Sequence, residues 1–529
     1  AALLIGVVAL LVVTAIPEVY GGYTALLIYS PYDDEGYLMF TRQLFLEGRP
    51  LYTDVYAQYG PFYYAYYLLL HGPLGVPITH TATRVLTLVH WLLGSAACGA
   101  LVYAHARSLF CAGLAFLLAA GQLLVMIYSA GHPQELVALL TPLALLAAST
   151  SRPAPVGQPP SAAGPLAAIA LGYVAAALVL TKINVGGFFV AALAFAYLSC
   201  ATPTRSNRIA FVAAAAGAIA LPVLVMRGDA FPPSWAFPPA AAAALGILAL
   251  AFAAFPRGSG GPLPHIFPCV GQPPPAATRV GRPALTLAAA GVTAAAVCAV
   301  ALARGTTLYG LFEGVVLGPL GFFQSYTHAS EFPMAGVVIG AVSCAAAAVL
   351  AAWPRLAEAP AVQLVLALAK CAAAVAALYF AATDRPEFLA VILPPLLWLL
   401  IAPPVDPRTR FGRTLLAAAG ALYVLQVYPW AGAQRQLGTF LIVPAAAVLL
   451  HDATGARAFL PAFRSARIPD AGWKAPDPDA GWKARAPFTA IQFAVLGAVF
   501  LLGLTAFKYA PKIQDGYLAY RHAEPLGLP

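Results

Sequence analysis

Most of the chain consists of long apolar runs broken by short polar points. The runs lie at 1–16, 82–104, 108–129, 133–149, 164–181, 183–200, 208–226, 238–255, 284–303, 334–353, 361–381, 387–402, 412–429, 436–451 and 488–507. A membrane-spanning helix needs about 20 predominantly apolar residues, whereas a barrel strand needs about ten with apolar and polar positions alternating. These runs are helix-like, so the pattern predicts an all-α polytopic membrane protein of about 13–15 transmembrane helices. The run at 1–16 has no basic segment before it and reads as a first transmembrane helix, not a signal peptide. Runs 164–181 and 183–200 are parted only by a polar point at Lys182 and Asn184.

The breaks between runs differ in length, and this divides the chain into seven parts. These are a first helix (1–16), a long loop (17–81), a helical bundle (82–303), a second long loop (304–333), a second bundle (334–451), a Pro/Gly-rich linker (452–487), and a last helix with a tail (488–529). The linker carries PDAGWKA twice, at 469–475 and 478–484, which reads as a short tandem duplication in a flexible segment.

Composition agrees with the pattern. Apolar residues make up 61% of the 529 and mean hydropathy is +0.80, against roughly 45–50% apolar in soluble domains. The net charge of +9 is no nucleic-acid signal in such a chain. Lys and Arg collect in one alternate set of loops, including Arg107, Arg205, Arg208, Arg355, Arg408, Arg410 and Arg413. Most of the acids lie in the other set. By the positive-inside rule the basic loops are cytoplasmic, and loops 17–81 and 304–333 face outside. The seven cysteines are scattered, with no CxxC and no Cys/His cluster, so they suggest neither a disulfide framework nor zinc.

Within the first loop the stretch SPYDDEGYLMFTRQLFLEGRPLYTDVYAQYGPFYYAYY stands out, because Asp33, Asp34 and Glu35 are adjacent in a chain with only 20 acids. Asp33 suits a helix N-cap, Asp34 and Glu35 the first turn, and Gly48 with Pro50 the stop. Glu35 and Arg42 share a face of that helix. The following GPFYYAYYLLL is too short to span, and its tyrosines suit the headgroup level. Two juxtamembrane helices are therefore expected after the first span. One capping acid is ordinary, but three adjacent ones repel each other, which favours a chemical role at this point.

Taken together, these residues resemble the GT-C fold of integral membrane glycosyltransferases. In that fold a transmembrane helix is followed by an acidic motif and two juxtamembrane helices. Tyr59-Gly60-Pro61 is similar to the entry of the second juxtamembrane helix in bacterial enzymes of the protein-mannosyltransferase type. LTKINVGGFF at 180–189 resembles a K-x-N-x-G element of a bacterial branch. The resemblance implies transfer of a sugar from a polyprenyl-phosphate donor to an acceptor hydroxyl, usually with inversion, on the extracytoplasmic face of a bacterial inner membrane. The acceptor would be a glycan, lipid or protein. The motif residues Asp33, Asp34 and Glu35 would be the catalytic set, with Asp33 or Asp34 as the base.

A lipid-phosphate leaving group needs cations, and Lys182, Arg42, Arg385 and Arg435 are the outside-facing candidates. Tyr59, His132, Glu135, Asn184, Tyr326, His328 and Glu331 are candidates for holding sugar or acceptor. Lys370, inside a span, suits a paired or snorkelling role. No acid pair has a strong metal-ligand spacing, so no cofactor is expected, although some members of the superfamily use a divalent metal. Two rival readings remain. One is a lipid-linked glycan transporter or flippase. The other is an accessory subunit that meets partner membrane proteins in a larger assembly.

Overall fold

A computed structural model describes residues 34–126, 129–150, 164–255, 277–319, 329–403, 405–429 and 434–455. Asp33, Tyr326, His328 and the runs at 1–16 and 488–507 lie outside the described residues, as does the linker from 456 onward. The described chain is helical throughout, and its only strand-like feature is an isolated bridge between Leu51 and Val55.

The first loop forms α1 (Glu35–Leu46) and α2 (Pro61–His71). The polypeptide then runs through α3 (His80–Ala106), α4 (Leu109–Leu124), α5 (Gln134–Ser149), α6 (Pro165–Val179), α7 (Ile183–Ser199), α8 (Arg205–Met226) and α9 (Phe237–Ala254). The remaining helices are α10 (Ala277–Ala303), α11 (Leu308–Phe312), α12 (Ala335–Ala352), α13 (Pro360–Ala382), α14 (Pro386–Ile392), α15 (Arg410–Tyr423), α16 (Gln434–Thr439) and α17 (Ile442–Gly455).

The helix starts follow capping chemistry. Thr79 accepts from Ala82 N at 3.2 Å and Ser108 from Cys111 N at 3.2 Å, opening α3 and α4. Prolines open α2, α6, α13 and α14, where the missing N–H costs nothing.

Among the described residues seven helical stretches are long and apolar enough to cross a membrane: α3, α8, α9, Gly281–Ala303 of α10, α12, α13 and Gln434–Thr454. This is the build of a polytopic membrane protein. The runs at 1–16 and 488–507 lie outside this comparison, and among the described residues the number is smaller than the apolar runs predict, for two physical reasons. Runs 108–129 to 183–200 fold as helices of only 16, 16, 15 and 17 residues. At 1.5 Å per residue these are shorter than the roughly 30 Å hydrocarbon core. Run 387–402 breaks at Leu393, because Pro394 and Pro395 cannot continue the hydrogen-bond ladder.

α3 packs along α4 and α5, α6 along α10, α9 along α12, α7 along α15, and α13 along α17. α15 is buried from Phe411 to Tyr423, whereas α8, α10 and α12 leave most of their apolar surface uncovered, as lipid-facing helices do. A charged cluster ties α13, α15 and α17 together. Asp452 of α17 accepts from the two terminal Arg413 nitrogens (2.5 and 3.0 Å), and Lys370 approaches it at 3.5 Å while donating to the Ala402 carbonyl at 3.1 Å. Lys370 is therefore paired. Asp452, at the head of the predicted linker, belongs to a helix.

Candidate functional site

α1 begins one residue later than the capping pattern predicts. Asp34 occupies its N-cap position, and the Asp34 side chain makes no capping bond. Its carboxylate is exposed at the head of the helix. The protein beside it displaces water and raises it above the usual carboxylate range.

Glu35, one residue on, is turned inward and fully buried. Arg84 of α3 grips both its oxygens, with Nε at 3.1 and 2.9 Å and Nη2 at 2.8 Å, and His80 Nδ1 stands at 3.2 Å. A forked guanidinium–carboxylate contact is strong and directional. It ties α1 to α3 and leaves Asp34 as the exposed acid of the described pair. Arg42 shares the helix face with Glu35 and is also buried, but it points elsewhere (below).

The loop between α1 and α2 is pinned from several sides. Arg304 Nη1 caps α1 through the carbonyls of Phe45 (2.6 Å) and Leu46 (2.9 Å), and Leu51 N donates to Thr306 Oγ1 at 3.0 Å. The Tyr52 hydroxyl donates to the Tyr59 carbonyl at 2.9 Å. Gly60 N then donates to the Thr181 carbonyl and Phe62 N to that of Leu180, both at 3.0 Å. Here only glycine fits, since a Cβ on Gly60 would collide with the Leu180 carbonyl. The Tyr59-Gly60-Pro61 turn is thereby docked against the α6–α7 connection, which carries Lys182.

Tyr59 meets His132 across this junction, with hydroxyl to Nε2 2.6 Å and ring centroids 5.0 Å apart. Gln134 N donates to His132 Nδ1 at 3.2 Å, so the neutral ring carries its proton on Nε2 and donates to the Tyr59 oxygen. The Tyr59 hydroxyl proton is then available to a ligand. Burial, reinforced by the Lys182 and Arg42 charges, holds His132 well below its ordinary value and keeps it neutral. Burial raises Tyr59, and the negative charge of Asp34 adds to the effect, so Tyr59 stays a protonated donor. Lys182 is half-buried and pushed down to about 8 by loss of water.

Asp34, Tyr59, His132 and Lys182 thus form a chain of neighbours, Asp34 acting on Tyr59, Tyr59 bonded to His132 and His132 acted on by Lys182, drawn from α1, the α1–α2 loop, the α4–α5 turn and the α6–α7 connection. Arg42 and Glu135 lie just beneath. Arg42 donates to the Tyr63 hydroxyl at 2.8 Å and the Gly131 carbonyl at 2.6 Å. Glu135 is bound by the hydroxyls of Tyr67 and Thr87. The tyrosines expected at the headgroup level include Tyr63, Tyr64 and Tyr67, which are instead buried in the protein. Two of their hydroxyls serve this polar core.

Other candidate residues sit elsewhere. Asn184 accepts from the adjacent Val185 N at 2.9 Å. Arg385 pairs with Glu387 at 3.5 Å, and Arg435 reaches Ser330 at 3.4 Å. Glu331 is exposed in the segment before α12. Thr83, Thr87 and His90 were not among the sequence candidates. Their signal was a polar stripe at helical spacing on one face of the otherwise apolar α3. Among the described residues no group of three or more His, Cys, Asp or Glu is placed to hold a metal ion. No protein-family model, curated protein or solved structure matches the chain.

Proposed function

We propose that the chain is a membrane glycosyltransferase that moves a sugar from a polyprenyl-phosphate donor to an acceptor hydroxyl at the extracytoplasmic surface. One observation carries this reading. An exposed carboxylate, Asp34, at the head of the first helix acts on a fixed hydroxyl donor, Tyr59, whose hydrogen-bond partner His132 in turn feels the half-buried ammonium of Lys182.

Glycosyl transfer needs those three groups. Asp34 takes the proton of the acceptor hydroxyl as its oxygen bonds to the anomeric carbon. The bond from that carbon to the phosphate oxygen breaks, and its electron pair leaves with the lipid phosphate. The Lys182 ammonium and the Tyr59 hydroxyl hold the charge that develops there. A single displacement of this kind inverts the anomeric carbon. The lipid-facing helices would give a polyprenyl chain access from the bilayer. Glu35, committed to Arg84, orients the helix that carries Asp34.

The test uses the purified chain in phospholipid nanodiscs with polyprenyl-phosphate-linked hexoses and pentoses, following release of polyprenyl phosphate. Release by the wild type that is lost in Lys182→Met supports the reading. If no donor is cleaved but labelled lipid-linked glycan crosses the bilayer of reconstituted vesicles, the chain is a transporter.

A further inference from the structure

Beneath the site lie two buried ionisable groups, Glu135 and Arg42, that the transfer step does not use. Neither residue is more than 3% exposed, yet they make no direct hydrogen bond to each other. Tyr67 stands between them. Its ring carries the Arg42 guanidinium 3.8 Å from the centroid, and its hydroxyl goes to Glu135. Burying two ionisable groups at this spot is costly unless their hydrogen bonds are satisfied.

What they organise is a single peptide unit. The Gly131 carbonyl accepts from Arg42 Nη2 and from the Tyr63 hydroxyl, both at 2.6 Å. The Gly131 N–H donates to Thr87 Oγ1 at 2.8 Å, and that hydroxyl contacts the Glu135 carboxylate. Gly131 sits at φ +71°, and a Cβ there would strike Arg42 and Thr83. His90 completes the surround, with Nδ1 3.4 Å from Glu135 and Nε2 2.7 Å from the Tyr66 hydroxyl. Both polar ends of one peptide are thus held by hydrogen-bonded chains, one starting at Arg42 and the other ending on Glu135, and the next residue is His132.

We infer that Glu135 and Arg42 are positioning residues. Acting through Thr87 and Tyr63 on the Gly131 peptide, they fix the direction in which His132 enters the site, and with it the Tyr59 hydroxyl that His132 holds. Their role in turnover rests on the transferase reading, but their role in setting His132 does not. The groups facing His132 are Tyr59, Lys182 and Arg42, so a loosened ring would sample both tautomers and gain protons more easily.

The experiment is ¹⁵N NMR of ring-labelled histidine in nanodiscs, with the His132 signal assigned by its loss in His132→Asn. The wild type should show one neutral tautomer, protonated on Nε2. Glu135→Gln and Thr87→Val should introduce the second tautomer or a titrating ring, while Thr87→Ser, which keeps the hydroxyl, restores the wild-type signal. In the transfer assay the same variants should lower kcat by about 10–100-fold with KM for donor little changed, as outer-shell substitutions do. Thr87→Val is nearly isosteric and serves as the readout if Glu135→Gln does not fold. An unchanged His132 signal in folded Thr87→Val overturns the inference. An altered signal without any transferase activity in the wild type keeps the inference and removes the transferase reading.

Discussion

Asp34 and Glu35 are neighbours of the same charge with opposite environments, and this decides what each can do. Glu35 has no exposed surface and both its oxygens are engaged, whereas the Asp34 carboxylate faces outward without a capping bond. Replacing Asp34 with Asn should lower transfer by about 10²–10⁴-fold, the usual contribution of a positioned base.

The pH profile gives a second residue-scale prediction. A base acts only when ionised, and the Asp34 carboxyl is raised, so activity should fall on acidification through a pKa above 3.8. Lys182 holds phosphate only when protonated and is pushed down to about 8, so activity should fall again as pH rises through that value. Lys182→Arg should remove the alkaline limb, because a guanidinium stays charged over the whole range. An alkaline limb unchanged in that variant would assign it to another group.

The acid cluster was legible because adjacent carboxylates are rare in so apolar a chain. The division of labour between the acids was not, since it depends on Arg84, which lies 49 positions from Glu35 and meets it only in the fold.

At the scale of elements, α1 and α2 were readable from the acid start, the Gly48 stop and the Pro61 entry. Their surroundings were not. Tyrosine-rich amphipathic segments suit a membrane interface and a polar protein core equally well, and here α2 turns Tyr63, Tyr64 and Tyr67 inward. The α1–α3 junction depends on Arg84. Arg84→Met leaves a buried carboxylate without its main partner and should cost about 3–5 kcal/mol, read as a lower thermal midpoint in detergent. A midpoint equal to wild type would mean that Glu35 is not confined in this way. Gly60→Ala, which places a methyl against the Leu180 carbonyl, should separate the Tyr59 turn from Lys182 and reduce donor affinity more than stability of the distant α13–α17 pair.

For the whole molecule, the apolar runs identified a helical membrane protein, but among the described residues several of them fold into helices shorter than a span. Hydropathy registers apolar length and cannot distinguish a lipid-facing helix such as α10 from one enclosed by its neighbours such as α15. The charge asymmetry of the loops predicts an orientation with the Asp34 loop outside and Arg408 inside. A membrane-impermeant thiol reagent should label Tyr56→Cys in intact cells, and Arg408→Cys only after permeabilisation. Both positions are exposed. The reverse pattern would place the site in the cytoplasm.

The most direct measurement is the rate of polyprenyl-phosphate release from a lipid-linked sugar by nanodisc-held wild type, Asp34→Asn and Asp54→Asn. Asp54 is an exposed acid of the same loop, only loosely paired with Arg49 at 3.9 Å, and serves as the control. The expected result is turnover in wild type and Asp54→Asn with a loss of at least about 100-fold in Asp34→Asn. Equal rates in all three proteins would contradict a catalytic Asp34 and the site built around it.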